Sequence, residues 1–591
     1  MFLRCTRRKK DGKLHRYWSL VETRRVSGGR VAQRPLLYLG EINDSQRAAW
    51  RKTIEVFQDG SPCAQTLALF PEDSLAPVDD AAVVRLRLGD VHVERPRQWG
   101  ACWLACYLYA QLGLDQFWAE RLPPSRKGTR WDLILQALAA YRLIDPGSEW
   151  RLHREWYVQS AMADLLGAGY ELAEIHKLYA CLDRLLPHKR ELFEHLTRRW
   201  TDLFNASYEV LLYDLTSTYF ESDPPADPQD KRKHGYSRDK RHDCVQVLLA
   251  LVITPEGFPL AYEVLSGNVT DNRTLRLFLR QIERQYGKAR RIWLMDRGIP
   301  TEVVLEQMRQ SDPPVQYLVG TPKGRLTALE AALTDKPWRH VRDGVKVKLL
   351  PHEGELYVLA ESRDRIAKER AMRRRQLKRL WKRLGHLARM RLPDRDRLMR
   401  KLGAAEKQWP AGWRLVRIEV DADRRLHFAL NRERLRQVRR REGRYLLRTN
   451  LTEADPAKLW ELYIRLVQVE EAFRTLKDDL ALRPIYHQKE PRIEAHIFVA
   501  FLAYALHVTL RHRLRDLAPG LTSRAVIEKL RAMPMVDVHL PTTDGREIIL
   551  SRYTQPDPEI TLILRQLKLH LPPQPPPRLN ARNELLPYRS M

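Results

Sequence analysis

The stretch VLLYDLTSTYFE, Val210–Glu221, reads as a buried β-strand with a carboxylate in its middle. Strand side chains alternate between faces, so Leu212, Asp214 and Thr216 share one face and Leu211, Tyr213 and Leu215 the other. Both faces are apolar enough to be buried. A lone ionised carboxylate in such a place costs several kcal/mol unless it is paired, protonated or bound to a metal. Whatever this chain folds into must therefore bring a partner to Asp214.

The chain has 591 residues and 44% hydrophobic content, too long for one core, and should divide into roughly three to five domains. Its 103 Lys and Arg against 74 Asp and Glu give a formal charge of +29, which makes a polyanion the natural partner, nucleic acid first. An anionic membrane surface is the other candidate. No apolar run approaches the roughly 20 residues of a spanning helix, and the N-terminus MFLRCTRRKKDGK lacks a signal-peptide core, so no membrane partner and a cytoplasmic location are expected. The six cysteines, Cys5, Cys63, Cys102, Cys106, Cys181 and Cys244, include no CxxC pair. Cys102 and Cys106 lie one helical turn apart without a nearby His or second Cys pair, which favours buried thiols over zinc.

Residues 1–95 mix β-branched stretches with turn residues and are expected to form a small β-containing module. Residues 96–205 turn to three-and-four apolar spacing with Arg and Lys outside, a basic helical domain suited to holding DNA ends. From 206 to 322 the pattern gives three strands in series, then helix, strand, helix and strand: an antiparallel meander continuing into a parallel α/β half. Residues 323–450 read as an insertion domain with basic helices, the densest run being Arg363 to Lys401. Residues 451–535 return to the α/β core, and 536–591 read as a C-terminal tail, proline-rich in LPPQPPPRLNARNELLP and extended.

Two further acids are placed to join Asp214. The strand RIWLMDRG ends in Asp296, just before Gly298 and a turn, where a rigid sheet positions a side chain that still reaches solvent. The segment DPAKLWELYIRLVQVEEAFRTLKDDL is expected to be one helix with Leu459, Leu462, Leu466, Val469, Phe473, Leu476 and Leu480 as its buried stripe. On one helix, Tyr463, Glu470 and Lys477 stack at spacings of seven beside that stripe, and Arg474 lies one turn past Glu470. Glu470 and Arg474 as an exposed ion pair is the blander alternative. Two aspartates on strands and a glutamate on a packed helix suit a pair of hard divalent cations such as Mg²⁺, which can drive in-line attack on a phosphodiester. No GxSxG elbow is present, and GTPKG at Gly320 is too short for a phosphate-cradling loop.

As a set, YDLTSTYFE, HGYSRDKRHDCVQVLLALVITPEGFPLAYEVLSGNVTDNRTL, WLMDRGIPT, GRYLLRTNL and YIRLVQVEEAFRTLKDDLALRPIYHQKEPRIEAHIFVAFLAYAL resemble the DDE transposases of bacterial insertion sequences, in the insertion-sequence-four-like group. The resemblance spans residues 200–510 by motif. It implies an α/β, RNase H-like catalytic core, a mixed sheet flanked by helices, interrupted by an insertion domain between the second Asp and the Glu. Carried over by motif, Asp214, Asp296 and Glu470 are the catalytic, metal-binding acids, holding two Mg²⁺ ions for which Mn²⁺ can substitute. The group's Tyr-Arg-Glu-Lys signature maps onto Tyr463, Glu470 and Lys477, with Leu466 at the Arg position. Arg465 or Arg474 then supplies the missing phosphate contact, or this branch does without it, and Glu471 as the acid breaks the spacing to Lys477. Tyr463, Arg474 and Lys477 are thus the expected DNA contacts, while His487 and Lys489 are read as structural.

The resemblance implies a DNA transposase that binds the terminal inverted repeats of its element and catalyses metal-dependent cleavage and strand transfer on double-stranded DNA. Pairing two ends implies self-association in the DNA complex. The alternatives are an RNase H-like nuclease without strand joining and a domesticated DNA-binding regulator with an idle site.

Overall fold

The structure is a computed structural model that describes residues 2–10, 13–25, 31–40, 86–236, 241–269, 271–286, 291–296, 299–321, 329, 332–333, 336–390, 395–421, 425–452, 455–543 and 545–580. Cys63 and Gly298 lie outside the described residues. The chain divides into two compact units, one of Met1–Thr6, Tyr17–Gly287 and Val467–Met591, the other of Arg7–Arg16 and Lys288–Leu466.

In the first unit, strands Val210–Phe220, Val245–Ile253 and Pro259–Ser266 form the expected antiparallel meander, with Asp214 opposite Leu251 and Leu251 opposite Tyr262. The middle strand, VQVLLALVI, is buried at every position, as a continuous apolar run requires when both faces of a sheet are covered. Helix Glu490–Leu517 runs through the core and packs on helix Trp131–Ile144. It is long and apolar enough to cross a membrane, contrary to the expectation that no such run exists, and 94% of its apolar window is buried inside the fold. Helix Lys189–Phe204 is tied to it by Trp200, whose indole Nε1–H donates to Thr509 Oγ1 at 3.0 Å.

The same unit holds a second sheet that overturns the reading of 536–591 as a tail. Its strands run in the order Arg578–Asn580, Glu547–Tyr553, Pro534–Pro541 and His92–Gln98, all antiparallel. Pro534 and Pro541 sit at the ends of their strand, where the missing N–H is tolerated, so their presence does not argue against a strand. The 95/96 boundary also falls inside a strand, because His92–Gln98 belongs to this sheet.

Under that sheet lies a buried charge network. Arg97 (2% exposed) donates to Asp537 Oδ1 (3% exposed) at 3.0 Å and to Asp164 at 2.8 Å, while Arg95 and Ser551 reach Asp537 at 2.9 and 2.7 Å. Burial opposes the Asp537 charge, yet the hydrogen bonds from Arg97 and Ser551 and the charges of Arg97 and Arg95 outweigh it, holding the carboxyl below its usual pKa.

In the second unit six strands of a mixed sheet run in the order Arg339–Arg342, Val345–His352, Glu355–Ser362, Arg444–Thr449, Gln316–Gly320, Ile292–Met295. The last two are parallel, linked through helix Glu302–Gln310, and the others pair antiparallel. The expected insertion 323–450 is therefore only partly a separate body, since its residues 339–362 and 444–449 extend this sheet. The rest does form its own core: helices Arg363–Arg389 and Arg395–Gln408 and the hairpin Val416–Val420/Leu426–Leu430 meet at Leu380, Leu384, Leu387, Leu398, Leu402, Val416 and Leu426. Of the 27 residues in helix Arg363–Arg389, only Leu380, Leu384 and Leu387 are buried, so its cationic face meets solvent.

Replacing Asp537 by Ala removes one of the two carboxylates that hold buried Arg97 and leaves Asp164 as the other, so Asp537→Ala should cost about 1.5–3 kcal/mol, read as a lowered urea midpoint. The folded Asp537 pKa lies below its unfolded value near 4. Its contribution is therefore complete above that value and lost as pH falls through the folded pKa. A midpoint that is the same in both proteins at pH 7 would refute the network's role.

Candidate active site

Asp214 is half-buried between fully buried neighbours Tyr213 and Leu215, and its Oδ1 accepts the Leu215 N–H at 2.7 Å. That local bond orients the carboxylate. Helix Val467–Arg474 packs on this strand through a face of Val469, Ala472 and Phe473. Glu470, on the same helix, is exposed, and among the described residues it makes no salt bridge.

The adjacent Glu471 behaves differently. Arg511 lies 3.3 Å from its Oε2 and Arg474 3.8 Å from its Oε1, so two guanidinium groups hold it. The Glu470–Arg474 ion pair weighed from the sequence is replaced by this Glu471–Arg474 approach. Arg474 remains 68% exposed, with most of its donor fork facing solvent.

The single helix expected from Asp455 to Leu480 is in fact three pieces. Helix Pro456–Ile464 ends in a tightened turn, where Arg465 N–H bonds to Leu462 O and Leu466 N–H to Tyr463 O. A new helix begins at Val467, and Thr475–Asp479 widens into a π-turn closed by Leu480 N–H to Thr475 O at 2.9 Å. Spacing by seven therefore does not stack Tyr463, Glu470 and Lys477 on one line, because the break and the π-turn each change the rotation per residue. Leu466, at the position where the signature carries Arg, falls in the break.

Asp214, Glu470, Arg474 and Lys477 belong to the first unit, and Asp296 and Tyr463 to the second. Lys477 sits half-buried in the π-turn. Asp296 directly follows strand Ile292–Met295, exposed, as its strand-end position suggested. Tyr463 packs edge-on against Tyr445 with centroids 5.6 Å apart, and beside Trp460 at 5.8 Å.

Several features had no legible signal in the sequence. A Cβ on Gly235 of HGYS would lie 2.0 Å from the Gly267 carbonyl oxygen, and one on Gly267 of LSGN 2.0 Å from that of Gln246, so the two motifs meet backbone to backbone. Arg232, buried, grips Asp230 with both arms and donates to Gln488 Oε1 at 2.7 Å. Lys231 reaches Glu490 at 3.0 Å and Glu494 at 3.6 Å. His487 is buried in a polar cluster with Glu149, His496 and Arg142, and Lys489 stands at the N-cap position of helix Glu490–Leu517 without a side-chain cap bond. Burial and the adjacent Arg142 lower the His496 pKa to about 4, so its imidazole is neutral near pH 7. Cys102 and Cys106 are free thiols whose pKa burial pushes well up, which suits packing and not catalysis.

Asp214 on its strand and Glu470 on the helix packed against it present carboxylate oxygens, the donors that hard cations take, and Arg474 and Lys477 follow Glu470 in the same segment. Residues 205–506, just over half of the chain, match the family model of the transposase DDE domain. Residues 3–60 match that of the IS1634 family transposase N-terminal domain. Among solved structures, the cryo-EM structure of the piggyBac transposase synaptic complex with hairpin DNA is 8% identical, with a TM-score of 0.34, covering 75% of this chain and 82% of that one. No curated protein matches the chain in sequence. On the extent of the DDE match and the N-terminal match together, the chain belongs to the DDE transposases of bacterial insertion sequences, metal-dependent polynucleotidyl transferases that act on DNA.

Proposed function

We propose that this transposase recognises the terminal inverted repeats of its own element and that Asp214, Asp296 and Glu470 are its catalytic, metal-holding acids in an RNase H-like core. The observation that carries the choice of Glu470 is the contrast with its neighbour: Glu471 is held by Arg511 and Arg474, whereas Glu470 faces solvent with no salt bridge among the described residues. An all-carboxylate donor set suits a hard cation, and Mg²⁺, with Mn²⁺ as substitute, is the fit. When bound, such ions supply an activated water and stabilise the departing oxygen.

The chain's own side chains do the positioning. Asp214, fixed by the Leu215 N–H, holds its carboxylate at constant orientation without a rotamer search. Lys477 and Arg474 present cations to the phosphates beside the cleaved bond, Arg474 serving where Leu466 leaves the signature without its Arg. Tyr463 steadies the same strand by stacking or through its hydroxyl. The helical segment 96–205 holds the element ends, and the solvent-facing cations of helix Arg363–Arg389 bind backbone phosphates. Two ends must be joined in one event, so the chain self-associates on DNA. Such a protein works on the nucleoid in the cytoplasm.

With DNA carrying the element's ends and Mg²⁺, Glu470→Gln should lower cutting about 10³-fold or more while binding persists. Glu471→Gln should keep cutting and lose only about 1 kcal/mol of stability, the scale of a partly exposed pair. The reverse pattern would assign the acid to Glu471.

Reversing Arg374, Lys378, Arg379 and Lys382 to Glu should weaken DNA binding across all sequences and flatten the log-affinity against log-salt slope by about 0.9 for each phosphate no longer neutralised. An unchanged slope would show that this helix does not touch DNA.

A further inference from the structure

The sheet formed by His92–Gln98, Pro534–Pro541 and Glu547–Tyr553 carries a second group of metal-ligating side chains, unrelated to the catalytic acids. His92 and His539 are directly opposed across the antiparallel pair, and Glu94 and Glu547 flank them. One ligand atom each from His92, His539 and Glu547 lies within 4.8 Å of the others.

The hydrogen bonding prepares this group for a cation. His92 Nδ1 meets the Asp90 carbonyl at 3.0 Å, so that nitrogen carries the proton and Nε2 keeps its lone pair, the tautomer arrangement typical of metal-bound histidine. Nε2 stands 3.4 Å from Glu94 Oε1. His539 is largely buried; its Nδ1 lies 3.2 Å from Glu547 Oε1 but has no hydrogen bond among the described residues, and its Nε2 lies 3.8 Å from Glu94 Oε2. Ligands around a tetrahedral zinc at about 2.0–2.2 Å stand roughly 3.3 Å apart, close to these separations. Asn580 Nδ2 approaches the other Glu547 oxygen at 3.4 Å. The two rings stack with centroids 4.8 Å apart.

The surrounding charge also favours a cation. Glu94 and Glu547 place two carboxylates at this spot in a chain of formal charge +29. The nearby Asp537 is already matched by Arg95 and Arg97. The buried Glu149, His487 and His496 set differs, because Arg142 lies 3.8 Å from Glu149 and 3.4 Å from His496 and supplies the positive charge itself.

We infer that His92, His539 and Glu547, with Glu94 beside them, form a structural site for a borderline transition-metal dication, Zn²⁺ or its probe Co²⁺, which clamps the strand leading into the helical segment to the C-terminal strands. The N and O donors select such an ion over Mg²⁺.

The test uses the full chain in a Glu470→Gln background, so that metal at the catalytic acids is weakened in every sample. Co²⁺ should give visible d–d bands and Zn²⁺ should bind at one equivalent in the presence of excess Mg²⁺, raising the melting temperature. In His92→Ala/His539→Ala the bands should vanish and zinc affinity should fall more than about 100-fold, since loss of even an outer-shell partner costs 10–100-fold. Glu547→Gln, which keeps both imidazoles, should weaken zinc without changing the metal-free melting temperature. Identical spectra and zinc stoichiometry with and without the two histidines, or no Co²⁺ bands at all, would overturn the site.

Discussion

The first unit is organised around a carboxylate that the apolar sheet cannot absorb. The residues on either side of Asp214 are committed to packing, and the N–H of the next residue restrains its carboxylate locally. The sheet gains rigidity from strands buried on both faces, and that rigidity keeps a half-buried charged group in place. Helix Val467–Arg474 is fastened to the same strand by Val469, Ala472 and Phe473, so the acid on its opposite side inherits a fixed base. Elsewhere in the same unit acids are matched by arginine and lysine: Asp230 by Arg232, Glu490 and Glu494 by Lys231, Glu471 by Arg511. Among the described residues Glu470 makes no such pair.

Much of the α/β pattern could be read directly. The period-two and continuous apolar runs gave the meander and the parallel pair, and the Asp296 strand end is where the turn signal put it. The split of the Tyr463–Lys477 segment was hidden because its apolar stripe continues unbroken in sequence: Leu462 and Leu466 keep the spacing while the backbone tightens between them. The C-terminal sheet was hidden by composition, since prolines at strand ends look like a tail when no partner is visible. The Glu149 cluster was invisible for another reason, Glu149 and His496 being 347 residues apart in the chain. Nothing local marks a buried acid whose neutralising groups arrive from so far away.

Glu470 and Glu471 differ in their surroundings more than in their sequence positions. In sequence the two are adjacent acids on one helix, separated only by their count to Lys477, and that count loses its geometric meaning once a π-turn intervenes. Partnering distinguishes them: one acid is already held by guanidinium groups, the other makes no salt bridge among the described residues.

The pairing of His92–Gln98 with Pro534–Pro541 has a consequence for how the protein is made. Arg97 meets Asp537, 440 residues later. At about 5–20 residues per second on the ribosome, the earlier strand waits on the order of 20–90 s for its partner strand, with Asp164 the earlier of the two carboxylates to reach Arg97. A chain that stops short of Pro534 lacks the strand that pairs with His92–Gln98 and the carboxylate of Asp537, so in this sheet the two ends of the coding sequence depend on each other.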